Sequence, residues 1–180
     1  MTADPAPRSG FAQSTLIGEA FVGEGPNAAH LNVVIGRKGG PVETAWATSL
    51  ATPRAGHVPF LLTLRPGLPV QPMTLFVNKA EVRGDKHESL TWGAAQAGVA
   101  GGLAQAVREG LIPSGDAPDL LVIAAVWVSW TADDEDAVFA NNRAATHEAV
   151  AAAVTGRPTV DEVSAEAAHP WNAYYHRHRN

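Results

Sequence analysis

The segment DLLVIAAVWVSW, residues 119–130, constrains this chain of 180 residues more than any other. It is apolar nearly throughout, which predicts a strand covered on both faces. Such a strand has no polar side to give to water, so it requires neighbours in a sheet and further layers packed on it. The segment ahead of it, 87–109, predicts a long helix whose middle, AAQAGVAGGLAQAV, is almost all small residues. Gly98, Gly101 and Gly102 each cost such a helix about 1 kcal/mol relative to alanine. Close approach to another backbone, either a sheet or a neighbouring subunit, is expected to offset that cost.

The rest of the chain supplies those neighbours. A first strand is expected over 16–24, followed by a turn containing Gly23, Gly25, Pro26 and Asn27. A second, AHLNVVIG (29–36), alternates so that Leu31, Val33 and Ile35 share one face and His30, Asn32 and Val34 the other. Together they predict a hairpin. Pro41 suits the first turn of a helix over 42–51. An apolar strand, PFLLTLRP, follows from Pro59, then the turn PGLP (66–69). The strand MTLFVNKAEV (73–82) comes next, with Val77, Lys79 and Glu81 on one face. After the apolar strand, the acidic run ADDED suits a helix N-terminus. It opens a helix over 135–155 that GRP (156–158) stops, and a last short helix is expected over 159–167.

The order β-β-α-β-β-α-β-α-(α) predicts an α+β fold of two layers, with helices packed on a mixed or antiparallel sheet, rather than the strict alternation of a dinucleotide-binding fold. We expect a lead-in rich in Pro, Ala, Ser and Thr over 1–15, one domain over 16–171 and a polar, aromatic tail over 172–180.

Composition narrows the function classes. Lys plus Arg is 13 and Asp plus Glu is 18, a net charge of −5, so there is no global basic field for nucleic acid. With no cysteine, a disulfide framework, cysteine-held zinc, Fe–S clusters and thiol catalysis are excluded together. No run of about 18 apolar residues predicts a membrane span. The first residues lack the apolar stretch of a secretory signal. The expectation is a soluble, cytoplasmic protein.

Several residues carry possible chemistry, each with a plainer alternative. His30, mid-strand and on the same face as Asn32, has a side chain suited to acid–base work near neutral pH. The alternative is a hydrogen-bonded structural histidine. Lys79 is either a substrate anchor partnered by Glu81 or one end of an ion pair on a solvated strand, worth about 0–1 kcal/mol. Gln96, among small helix residues, faces either solvent or a ligand. The RKGG turn lacks the spacing of a phosphate-binding loop. His176 and His178 of the tail have a spacing that can hold a divalent metal, with a frayed terminus as the alternative.

The fragments GEAFVGEGPNAAHLNVVIG, GPVETAW, LRPGLPVQPMTLFVNK, WGAAQAGVAGGLAQAVREGLIP, DLLVIAAVWV and HPW stand in the order found in the formaldehyde-activating enzyme family, which the chain resembles over 17–171. The resemblance implies a fold like the second domain of ribosomal protein S5, assembled as a homopentamer with the site in a cleft between subunits. It implies condensation of formaldehyde with tetrahydromethanopterin to the 5,10-methylene derivative and water. Both reactants are small-molecule substrates, and neither a metal nor a bound cofactor is required. The family's catalytic histidine falls on His30, and its pterin-contacting positions fall on Asn32, Leu61, Lys79, Glu81 and Gln96. The family has Asp at position 32 and Thr at position 81, and its tyrosine-rich segment stands here as NNRAAT (141–146). These departures also admit a chain that binds or senses a pterin, a folate or formaldehyde without turning it over.

Overall fold

The computed structural model describes residues 15–172 and Tyr175. Strands β1 (Leu16–Val22) and β2 (Ala29–Arg37) form the expected antiparallel hairpin, with Leu16 opposite Ile35 and Val22 opposite Ala29. Helix α1 (Pro41–Ala51) begins at its proline, where the missing N–H would have had no helical partner. The strand expected from Pro59 is broken at the buried Leu62 into β3 (Phe60–Leu61) and β4 (Thr63–Arg65). The Leu62 N–H donates to the Thr74 carbonyl at 2.8 Å, while its own carbonyl accepts from Val70 at 3.2 Å. That pivot sends β4 out of the main sheet to pair with β5 (Leu68–Pro69).

Strand β6 covers Met73–Asn78, four residues short of the expected end. The reason is local. The buried Asn78 side chain donates to the carbonyls of Gly56 and Ala80 at 2.7 and 2.8 Å, and so draws the chain into a turn. Lys79 and Glu81 therefore do not share a strand face. The long helix starts earlier than expected and has three parts: α2 (Gly84–Ser89), a wide π turn (Leu90–Ala95) and α3 (Gln96–Arg108). Strand β7 (Leu120–Trp127), helix α4 (Glu135–Thr155) and helix α5 (Val160–Glu166) complete the order. The Asp134 side chain caps α4 and Gly156, in the left-handed region, ends it. Among the described residues no helix is long and apolar enough to cross a membrane.

The main sheet runs β1-β2-β7-β6-β3. It is mixed: β7 is antiparallel to β2 and parallel to β6. The parallel pair requires a crossover, which α2, the π turn and α3 provide. Leu31, Val33, Ile35, Val122, Ala124, Val126 and Phe76 project to one side of the sheet and join Val99, Leu103, Val138, Ala149 and Val150 of α3 and α4 in a single core. On the other side, α1 covers one end, with Val42 packed against Gly36. Ile123, Ala125 and Trp127 of β7 are only half-buried there. Within this chain, then, 119–130 is covered fully on one face and only partly on the other.

At its tight positions the glycine-rich helix meets α4 of the same chain. A Cβ on Gly98 would lie 2.4 Å from the Phe139 carbonyl oxygen, and one on Gly102 would lie 2.4 Å from that of Arg143. Gly101 is different, since its nearest neighbour would be 3.7 Å away in the flexible Arg143 side chain. We expect Gly98→Ala and Gly102→Ala each to destabilise the fold by about 1–3 kcal/mol. Gly101→Ala should instead stabilise it by up to about 1 kcal/mol through helix propensity. Equilibrium denaturation of the three variants checks both signs.

Candidate functional site

The open side of the sheet carries an ordered row of side chains. The hairpin register sets Glu19 opposite Asn32 and Phe21 opposite His30, and β7 continues the two rows with Ala125 and Trp127. Alternation puts Glu19, Phe21, His30 and Asn32 on the same side, away from the helices. Here His30 Nε2 lies 3.0 Å from a Glu19 carboxylate oxygen. The Phe21 ring stands against the imidazole with centroids 6.1 Å apart. Lys79 follows β6 directly, and its N–H still bonds the Val126 carbonyl of β7 at 2.7 Å. Its ammonium reaches across to donate to Asn32 Oδ1 at 2.5 Å. Ala125 stands between Asn32 and Val77 in the register, and its methyl group leaves that path open.

The electrostatics follow from this crowding. Burial holds the His30 imidazole below the ordinary histidine range, and the Lys79 charge pushes it further down. Glu19 opposes both, by its charge and by its hydrogen bond. Burial likewise lowers the Lys79 ammonium, again against the pull of Glu19. Near neutral pH the imidazole is thus mainly uncharged. With a carboxylate at Nε2, the neutral ring carries its proton there and offers the Nδ1 lone pair to a reactant.

A second feature lies at the β3 edge of the sheet. A cleft of about 480 Å³ is lined by Val58, Phe60, Leu61, Thr63, Trp92 and Gln96. Gln96 donates to the Thr63 carbonyl at 2.9 Å, which fixes its amide. The Trp92 indole N–H, carried by the π turn, is buried with no hydrogen-bond partner among the described residues.

The six residues singled out from sequence therefore fall into separate places. His30, Asn32 and Lys79 form one cluster on the open sheet face. Leu61 and Gln96 line the edge cleft, three strand spacings away from β2 in the sheet order, or roughly 14 Å. Glu81 joins neither group. Its carboxylate pairs with Arg83 at 3.7 Å, its carbonyl accepts the Trp130 indole N–H at 2.9 Å, and Arg83 stacks 3.8 Å over that same indole. The carboxylate that acts on Lys79 is Glu19, not Glu81. Sequence reasoning passed over Glu19. Its signal was available in the hairpin, since pairing Val22 with Ala29 and counting back sets Glu19 beside Asn32. Of the histidine tail, His176 and His178 lie outside the described residues. Among the described residues no group of three or more His, Asp or Glu is placed to hold a metal ion.

Comparison with known proteins bears on this geometry. Residues 17–174 match the family described as formaldehyde-activating enzyme. The chain is 42% identical over 160 residues to the 5,6,7,8-tetrahydromethanopterin hydro-lyase of Methanosarcina barkeri, covering 87% of this chain and 90% of that protein. It is 45% identical over 148 residues to the bifunctional enzyme Fae/Hps of Methanococcoides burtonii, covering 82% of this chain but 37% of that longer protein. A bifunctional Fae/Hps of Archaeoglobus fulgidus is 40% identical over 147 residues, again over 37% of its length.

In an NMR titration we expect the His30 midpoint to lie below that of an unperturbed histidine, about 6.5. Lys79→Met should raise it, because removing a neighbouring positive charge favours the imidazolium. A midpoint that Lys79→Met leaves in place would contradict the coupling.

Proposed function

This chain belongs to the formaldehyde-activating enzyme family, and from that premise we propose that it joins formaldehyde to tetrahydromethanopterin, or a closely related reduced pterin, with loss of water and with His30 as the general acid. The observation that carries the reading is the cluster itself: a half-buried imidazole with its Nε2 engaged by Glu19 and an ammonium close by. The reaction asks for little more. One pterin amine adds to formaldehyde and gives a hydroxymethyl group. Protonated His30 then gives its proton to the hydroxyl as the C–O bond breaks, and water leaves an iminium. The second amine closes on the iminium carbon and releases its proton, which restores protonated His30. Carbon keeps its oxidation state throughout, so no electron acceptor enters. Lys79 and Asn32, already joined to each other, are suited to the polar edge of the pterin.

In the same reading, Leu61 and Gln96 supply apolar and amide contacts to the ring from the edge cleft, and Glu81 lies at the rim. One chain holds these groups apart, and its open sheet face leaves Ile17 65% and Phe21 36% exposed. Both facts support a homo-oligomer, a pentamer by the family resemblance, in which the sheet face of one copy meets the edge cleft of the next. A chain that binds reduced pterin without turnover is the second reading; the uncharged Asn32 beside Lys79 favours it, since it removes a charged group from the site.

The decisive measurement is the acceleration of methylene-pterin formation over the spontaneous reaction. His30→Ala should lose about 10²–10⁴-fold of that acceleration, and full acceleration in the variant would overturn the general-acid role. Binding of tetrahydromethanopterin by the unaltered chain with no acceleration would select the second reading. The shared site has its own test. We expect His30→Ala and Gln96→Ala chains, each impaired alone, to regain part of the activity when refolded together, because some mixed interfaces then carry both intact residues.

A further inference from the structure

We propose that Glu19 is the positioning residue of this site: it fixes the tautomer and orientation of His30 and serves as the counter-charge for Lys79. The inference rests on the proposed acid role of His30 and adds a residue that the family resemblance did not supply.

Three observations support it. The first is register. Glu19 sits directly across the hairpin from Asn32, one pair away from Phe21–His30, so the backbone pairing of two full strands holds its carboxylate within 3.0 Å of His30 Nε2. The second is chemical context. Glu19 is the single acidic residue in β1, and its neighbours on the same side of that strand, Ile17 and Phe21, are apolar. The third is charge. The groups facing His30 are Glu19 and Phe21 from β1, Asn32 from β2, Trp127 from β7 and Lys79 after β6. Two of these five positions plus His30 itself can carry charge, and Glu19 is the negative one. Because position 32 is an amide, nothing else in the row balances both an ammonium and a transient imidazolium.

The consequence is a division of labour within one ring. Nε2 stays hydrogen-bonded to Glu19 through the cycle, and Nδ1 gains and loses the proton that the leaving hydroxyl needs. The carboxylate itself keeps its charge and transfers nothing. An exposed ion pair of the same length on a bare surface would be worth about 0–1 kcal/mol and would leave turnover untouched. The two cases are therefore separable by experiment.

Glu19→Gln keeps an oxygen that can accept the Nε2–H but removes the charge; Glu19→Ala removes both. For Glu19→Gln we expect the His30 midpoint, followed by NMR on the intact oligomer, to move to lower pH. The limb of the kcat profile assigned to His30 should move with it. At neutral pH kcat should fall about 10–100-fold, by analogy with the carboxylate partners of metal-bound histidines, while KM changes less than the turnover does. Glu19→Ala should fall further. Glu19→Asp, which keeps the charge on a shorter arm, should hold the limb near its original pH and recover part of kcat. Unfolding curves matching the parent chain exclude a folding defect, and Glu19→Gln and Glu19→Asp keep the test open should the alanine variant fail to fold. An unmoved His30 midpoint in Glu19→Gln overturns the inference, as does a moved midpoint with unchanged kcat. Neither result touches the acid role of His30, which stands or falls with His30→Ala alone.

Discussion

Three positions without side chains let α4 lie where it does. A Cβ on Gly18 of β1 would stand 1.9 Å from the Ala149 carbonyl oxygen, and those on Gly98 and Gly102 of α3 would stand 2.4 Å from α4 carbonyl oxygens. Helix α4 thus rests in a trough between the first strand and the crossover helix, with its backbone in contact on both sides. Its small residues, Ala145, Ala149 and Ala153, are buried in the same contact. Close packing of this kind gives up helix propensity at the glycines and gains dispersion contacts along two elements. Because α3 and α4 both crowd onto one side of the sheet, the opposite side is left with α1 at one end and open strand at the other. The polar row occupies that open end.

The placement matters for the chemistry of the row. On the helix side an imidazole and an ammonium would be fully desolvated and would need complete pairing. On a fully solvated face they would titrate as free side chains and hold no fixed geometry. At the open end of the sheet they are half-buried: strands fix their positions, water still reaches them, and burial is enough to shift both downward. The hairpin has a second effect. A two-stranded register fixes cross-strand neighbours to within one side chain, so Glu19, Phe21, His30 and Asn32 are positioned by backbone pairing rather than by loops.

The fold was legible to the extent that local patterns decide structure. Alternation in 29–36 set the faces of β2, the acidic run and the GRP stop bounded α4, and the order of elements indicated helices on a mixed or antiparallel sheet. What misled were interactions between distant segments. Asn78 reads as one residue of a strand, yet it ends that strand because Gly56 offers its carbonyl from another loop. Leu62 reads as mid-strand and is a pivot because both Thr74 and Val70 bond its backbone. The glycines in α3 plainly called for a close neighbour, but which neighbour was not encoded locally. At the site, His30, Asn32 and Lys79 were legible as candidates, but the carboxylate that partners them and the separate place of Glu81 were not. Glu19 required the register of the hairpin. The isolation of Glu81 required knowing that Arg83 and Trp130 stack beside it.

The row's charge distribution also gives the amide at position 32 a physical meaning. A carboxylate there would lie against Lys79 and would draw both the ammonium and His30 toward their charged forms. The amide keeps the hydrogen bond to Lys79 and omits that pull. Desolvation and the Lys79 charge then act on His30 with Glu19 alone opposing them, and the balance falls below the ordinary range. A histidine so placed is protonated less of the time near neutral pH, but its protonated form is the stronger acid. In the proposed reaction, loss of water from a hydroxymethyl amine depends on both quantities, the fraction protonated and the strength of the acid, and these trade against each other. In that reaction the amide at position 32 would leave His30 on the weakly protonated, strongly acidic side of that trade, with Glu19 acting against it.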